Sequence, residues 1–261
     1  IFLSLEKAFE VVSYKKENNS QKKDIEKFYP SALFSRIDDE DVKLEDIIKY
    51  ASNNENEWLE FKSGVNGVEK PGEDKFDTYW RIAKAVISLA NSSGGAVIIG
   101  VDEDCLESDK MPIGWKASDP DNKCKGKFDI FYRDILYHVV LPKNNTWNCK
   151  KAGIYQLKEK KYLGTLITPK KFNFRGEEVA AIIVDYASPG KEISVVENPN
   201  GKKRTLYYDR TRGDVGECEL SEGEDVEKFK ADRKKRIDST TAWIKTIIHK
   251  IEKERGEQKK F

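Results

Sequence analysis

A carboxylate and an ammonium two positions apart on one strand can handle a phosphate, and the segment ENEWLEFKSG (55–64) carries such a pair. Leu59 and Phe61 alternate with Trp58, Glu60 and Lys62, the period-two pattern of a strand with one face in a core. That parity sets Glu60 and Lys62 on one face and turns Leu59 and Phe61 inward. Lys62 can then hold a scissile phosphate or offset charge developing on it. The Glu-x-Lys pattern recurs in unrelated nucleases, so it points to phosphate chemistry without fixing a fold.

Nucleic acid also needs a grip. Lys202, Lys203, Arg204, Arg210 and Arg212 surround Tyr207 and Tyr208, while Lys158, Lys160, Lys161, Lys170 and Lys171 form a second basic group. Cations interleaved with aromatics suit phosphate contact combined with base stacking. They equally suit a solvated strand edge, where lysine discourages aggregation. Other chemistries fit poorly. Cys105, Cys124, Cys149 and Cys218 form no CxxC, and His138 and His249 are the only histidines, so zinc spacing is missing and free thiols in a reducing cytosol are expected. There is no GxxxxGK[ST] for nucleotide phosphates. No Ser, Asp or Cys partner is placed for His138, which reads as a helix-face residue. The run RKKR at 233–236 reads as an exposed helix face rather than a targeting signal.

The elements that must position these residues follow from periodicity. A net charge of +1 names no partner, so any nucleic-acid surface has to be a local patch. The 11% aromatic share argues for a packed body rather than disorder. The first residues, IFLSLEKAFEVV, have helical spacing and carry Glu6 and Lys7, so they are neither a signal peptide nor a membrane span, and a cytoplasmic protein with no membrane partner is expected. The sequence starts without Met, as a piece of a longer chain would. A polar stretch and an acidic run lead to a short helix, LEDIIKYA, expected to be capped just before Glu45. After the 58–62 strand, TYWRIAKAVISLAN predicts an amphipathic helix closed by Gly94 and Gly95, with Asn91 bonding backbone in the turn. AVIIG is a buried central strand by its β-branched run. FDIFYRDILYHVVL predicts a further helix, 153–168 and 178–186 predict strands, and KEISVVE and KRTLYYDRT predict short ones. From Ser221 the pattern turns helical, with Val226, Phe229, Ile237, Trp243, Ile247 and Ile251 available to cover a groove or meet a partner.

These pieces, in this order, resemble a known family. ENEWLEFK, a helix ending SLANSSGG and the strand AVIIGVDED are similar to the opening half of the Schlafen-type AlbA-like domain: Glu, four residues, Glu-Phe-Lys, a helix ending Ala-Asn-x-x-Gly-Gly, and a strand ending Gly-Val-x-Asp. VAAIIVDYASPGKEISVV resembles its later strand and turn, and LYYDRTRGDVGECEL its closing strand, with an aromatic pair, an Arg and a Gly. The resemblance implies an α+β fold: an AlbA-like domain with a mixed β-sheet packed by helices over 45–222, an insertion at 105–152, an N-terminal helical or irregular segment at 1–44, and a C-terminal helical extension at 223–261.

It also implies a function and a site. Some members cleave transfer or ribosomal RNA with a three-carboxylate metal site, and many bacterial ones are described only as DNA-binding or regulatory. Hydrolysis assisted by Mg2+ or Mn2+ needs converging hard oxygen ligands. By resemblance these are Glu55, Glu60 and one of Asp102 and Glu103, with Lys62 beside them and Arg210 a family feature. Glu55 and Glu60 have opposite parity, so they can meet only if Glu55 precedes the strand, and Glu57 is left as a charge at the strand edge. Counted from Gly100-Val101, the usual Asp falls on Glu103, whose extra methylene moves its oxygen by about 1 Å. Asp102 serves instead if the strand end is turned. The same acids can equally be surface charge. The expected activity is a metal-dependent endoribonuclease acting on structured, tRNA-like RNA, in stress or antiphage defence, with Lys203, Arg204, Tyr208, Arg210 and Arg212 as the nucleic-acid contacts. The alternatives are a non-catalytic DNA- or RNA-binding sensor or regulatory module of a larger protein, and an interaction domain that forms a homo-oligomer or meets a partner domain through the C-terminal helix. No winged-helix region follows in the sequence, which favours the nuclease over a transcription regulator.

Overall fold

The computed structural model describes residues 31, 34, 44, 58–65, 75–102, 104–107, 110–117, 124–133, 137–149, 153–198, 203–210, 218–221 and 226–235. Its framework starts with β1 (Leu59–Lys62), α1 (Lys75–Asn91) and β2 (Gly95–Ile99). β1 and β2 pair in parallel, Glu60 beside Val97 and Lys62 beside Ile99, with α1 as the crossover that a parallel pair requires. β2 then pairs antiparallel with β6 (Glu177–Val184), and β6 with β5 (Ile167–Phe174), giving a mixed sheet of order β1-β2-β6-β5. A second sheet, wholly antiparallel, runs β3-β4-β7-β8-β9 through Thr146–Cys149, Gly153–Leu157, Val195–Glu197, Arg204–Asp209 and Cys218–Ser221. Short helices α2 (Asp104–Glu107), α3 (Phe128–Phe131), α4 (Tyr137–Val140) and α5 (Lys160–Leu166) fill the connections, and α6 covers 226–235. The α+β class holds, with two sheets where one was expected.

The centre of the first sheet, β2 and most of β6, is buried on both faces, which is why β2 reads as an unbroken apolar run. Leu59, Phe61, Ala96 and Ile98 share one core with Phe172, Phe174 and Ile183. Val97, Ile99, Ile182 and Val184 face a second core with α1. α1 also meets β3 and β8, so it lies between the sheets. It is therefore buried nearly all round, beyond the single apolar face its periodicity predicted, and Ala83, Ala85 and Ala90 keep it slim. Trp80 anchors the second sheet, stacked on Tyr155 at 4.1 Å and tilted against Trp147 at 5.1 Å.

The α1–β2 turn needs its glycines. Gly94 has φ +78, and a Cβ on Gly95 would lie 2.0 Å from the Trp58 carbonyl oxygen, so no larger residue fits where β2 meets β1. The expected strand over 153–168 is corrected: β4 ends at Leu157 and Lys160–Leu166 is helical, because Leu163 and Leu166, three apart, both bury while the lysines stay outside. The candidate helix FDIFYRDILYHVVL is described as two short helical pieces, α3 and α4, and β3 lies within the stretch expected as an insertion. The N-terminal segment apart from Ser31, Phe34 and Leu44, and everything after 235, lie outside the described residues.

Candidate phosphate-handling site

β1 delivers Glu60 and Lys62 to the α1 side of the first sheet, opposite Leu59 and Phe61, as their parity requires. Their neighbours on that face of β2, Val97 and Ile99, are apolar, so Glu60 is a carboxylate in a hydrocarbon wall and only 5% exposed. Two cations make this tolerable. Lys62 Nζ donates to Glu60 Oε1, and Arg210, which follows β8, donates through Nη1 to Oε2. Arg210 Nη2 also reaches the Leu59 carbonyl at 3.4 Å. Burial pushes the Glu60 carboxyl up, but Lys62 and then Arg210 outweigh it and hold the group below its ordinary value of 4.5. The side chain of Arg210 is almost closed off, whereas that of Lys62 keeps 22% of its surface in solvent. The cluster therefore presents an ammonium outward from an ionised, buried carboxylate.

The C-terminal end of α1 locks the strand that supplies Arg210. Ser92 Oγ donates to Asp209 Oδ1 at 3.0 Å and accepts the Arg210 amide at 3.1 Å. Asn91 bonds across the molecule rather than within its turn: Nδ2 donates to the carbonyls of Ile193 and Tyr208 at 2.8 and 3.1 Å, and Oδ1 accepts the Ile193 amide at 2.7 Å. Below it, Arg233 of α6 pairs with Glu192 at 3.1 Å and donates to the carbonyls of Ala90, Asn91 and Ala187. The end of α1 leaves the Ala90 and Asn91 carbonyls without intrahelical partners, and a cation suits the negative end of the helix dipole. Arg233 is thus buried, which corrects the reading of 233–236 as an exposed face. Lys234 and Lys235 are exposed as expected. The clue was spacing: Val226, Phe229 and Arg233 fall at i, i+3 and i+7, one inward stripe.

The other predicted residues divide. Gly100, at φ +97, reverses the alternation of β2, so Val101 joins the core of Ile98. Asp102 Oδ1 accepts the Asp104 amide at 3.3 Å and its carbonyl accepts the Cys105 amide at 2.9 Å, a cap for α2. Tyr208 is a core residue, edge-on to Trp80 at 5.7 Å, and the expectation of a base-stacking platform there is corrected by that burial. Arg210 is likewise turned inward onto Glu60 and offers no open surface for direct contact. Lys203 is exposed, and Arg204 grips Glu197 with Nε and Nη2 at 3.0 and 2.7 Å. Glu55, Glu103 and Arg212 lie outside the described residues. Among the described residues no three His, Cys, Asp or Glu side chains gather as a metal centre would need, and each oxygen of Glu60 already meets a cation. The described residues alone do not make up a divalent-ion site.

No described helix is long and apolar enough to cross a membrane. No curated protein matches the sequence. Among solved structures, the chain is similar to the crystal structure of the DIP2311 protein from Corynebacterium diphtheriae, at 16% identity and a TM-score of 0.32, over 64% of this chain and 22% of that one. The profile of one family, described as Schlafen, AlbA_2, matches residues 55–229, from the acidic approach to β1 through both sheets into α6. That stretch contains the Glu60–Lys62–Arg210 cluster and the α1 end that braces it, and over it the chain belongs to the Schlafen AlbA_2 family, a family of nucleic-acid-binding or nuclease-type domains.

Proposed function

We propose that this domain is a metal-dependent endoribonuclease acting on structured, tRNA-like RNA, centred on Glu60 and Lys62. One observation carries the reading: an ionised carboxylate is kept in an apolar wall with a part-exposed ammonium on it. A fold gains little stability from such a group, since desolvation cancels most of the attraction, so its retention favours a role in chemistry. A phosphate arriving at Lys62 can take over its ammonium from Glu60. Arg210 then still fixes the Glu60 carboxylate in place. The reading calls for Mg2+ or Mn2+ and for Glu55, with Asp102 or Glu103, as further oxygen donors. Lys203 on the exposed start of the β8 hairpin adds a phosphate contact.

A second reading, a non-catalytic DNA- or RNA-binding regulatory module, is favoured by the engagement of both Glu60 oxygens. Incubation of the protein with bulk transfer RNA, with Mn2+ and with chelator, separates them. The nuclease gives discrete fragments with Mn2+ alone, and Glu60→Gln slows this by about a hundredfold or more while circular dichroism stays native. Cleavage that survives chelation, or that Glu60→Gln leaves at the wild-type rate, overturns it. Salt-sensitive binding with no cleavage under any divalent ion establishes the second reading instead.

A further inference from the structure

A cavity of about 700 Å3 opens between the N-terminal half of α1 and the segment 137–149. This is the size of pockets that hold small ligands, roughly 300–1,000 Å3. Tyr79 of α1 meets His138, Trp147, Lys143, Asn144 and Asn148 around it, so all but one of these residues come from the stretch that the family resemblance implies is an insertion. The wall is braced from several sides. Trp147 Nε1 donates to the Val139 carbonyl at 2.8 Å, and its ring rests on Trp80. The turn at 142–145 closes with Asn145 N on the Pro142 carbonyl at 2.9 Å, Asn145 taking φ 56. Lys160 clamps that turn by donating to the carbonyls of Pro142 and Lys143, and Asn145 O accepts the Leu157 amide at 2.8 Å. A braced pocket loses little freedom when a ligand enters.

The lining also selects the ligand. Aromatic rings offer planar apolar contact, and an amide side chain carries a donor and an acceptor side by side, as the edge of a nucleobase does. Lys143 is an exposed cation, and among the described residues no acidic side chain lines the cavity, so the described lining favours an anion over a cation. Tyr79 and Asn91 are twelve residues apart on α1, about 18 Å at 1.5 Å per residue, so the cavity stands well away from the Glu60 end of the helix.

We propose that this cavity holds one unpaired nucleotide, its base among Tyr79, His138 and the asparagines and its phosphate on Lys143, several positions along the strand from a phosphate at Lys62. The inference rests on the nucleic-acid reading above and adds to it a preference for RNA with a bulged or looped base. Two measurements test it: fluorescence anisotropy with a labelled RNA hairpin carrying a single-nucleotide bulge and with the same hairpin lacking it, and tryptophan-fluorescence titration with the four nucleoside monophosphates. Tyr79→Ala combined with Asn148→Ala is expected to weaken binding of the bulged hairpin about tenfold and leave the plain one unchanged. Lys143→Glu, at an exposed position that threatens no packing, is expected to do the same, whereas Lys62→Ala weakens both. Monophosphates are expected to give a saturable signal in the wild type that the double variant loses. The proposal is overturned if both variants bind the bulged hairpin as the wild type does, or if a neutral sugar saturates the signal as well as a monophosphate. Saturation by monophosphates with neither hairpin bound supports the cavity's nucleotide chemistry and rejects the RNA reading, so the two fail separately.

Discussion

Two buried arginine–glutamate pairs flank the C-terminal end of α1, and they end differently. Arg233 pairs with Glu192 and spends its remaining donors on the carbonyls of Ala90, Asn91 and Ala187, with neither side chain open to solvent. Arg210 pairs with Glu60, and the chain of charges then continues to Lys62, which reaches solvent. The first pair is closed by backbone and works as a staple between α6 and α1. The second is closed by a mobile type of group that a phosphate can compete for. Burial and pairing alone therefore do not distinguish a structural ion pair from a site; what the last cation touches does.

The staple gives the largest expected effect. Arg233→Met removes one partner of a buried pair and uncovers helix-end carbonyls, so it is expected to lower the unfolding free energy by about 3–5 kcal/mol in urea titration, with RNA binding per folded molecule unchanged. Arg210→Met strips the same type of pair but leaves Lys62 on Glu60, and is expected to cost less. Equal losses for the two variants would mean that Lys62 does not share the Glu60 charge, and the contrast between the pairs would collapse. Asn91→Ala comes next: it leaves the buried amide and carbonyl of Ile193 without their side-chain partner, at about 1–3 kcal/mol for each group. A loss under about 1 kcal/mol would show that water replaces the amide there.

The open pair was more legible in the sequence than the closed one, for a physical reason. Strand alternation is local, so the shared face of Glu60 and Lys62 followed from five residues, and the helix and buried strand after them followed from their own periods. The arginine that each site needs is not local. Arg210 lies 150 residues from Glu60, and Arg233 lies 142 from Asn91. A run such as RKKR gives no sign by composition that one member turns inward. The second sheet was hidden likewise: its strands are short, and β4, β7 and β8 find one another across helices and turns that carry no pairing signal. Asp102 shows the same limit, since an acid after a buried strand suits a ligand and a helix cap equally well, and the sequence carries no sign of the Asp104 amide that its Oδ1 accepts.

Lys62→Ala sharpens the comparison with a smaller change in stability. One charge-assisted contact to Glu60 is lost while Arg210 stays, so about 1–2 kcal/mol is expected. Binding should respond more clearly: if Lys62 meets a phosphate, the slope of log affinity against log salt for an RNA hairpin falls by about one unit. An unchanged slope would place the phosphate elsewhere.

The smallest effect lies on the acid side. Glu60 is held below 4.5 in the folded state, where burial opposes but Lys62 and Arg210 prevail. A depressed carboxyl contributes stability that is fully present above 4.5 and is lost as pH falls through the lower folded value, because protonation then breaks both pairs. Glu178 is also held low, by hydrogen bonds from Lys171 and then Lys116, but its side chain is 36% exposed. Both glutamates thus steepen the loss of stability over the same acid window, and salt tells them apart. Screening weakens exposed pairs and barely touches buried ones. Unfolding free energies followed from about pH 6 down to about pH 2 should flatten for Glu178→Gln only at low ionic strength, and for Glu60→Gln also in about 1 M salt. If salt erased the Glu60 contribution as readily as that of Glu178, the carboxylate would be wetted through Lys62, and the site would be more open than its burial implies.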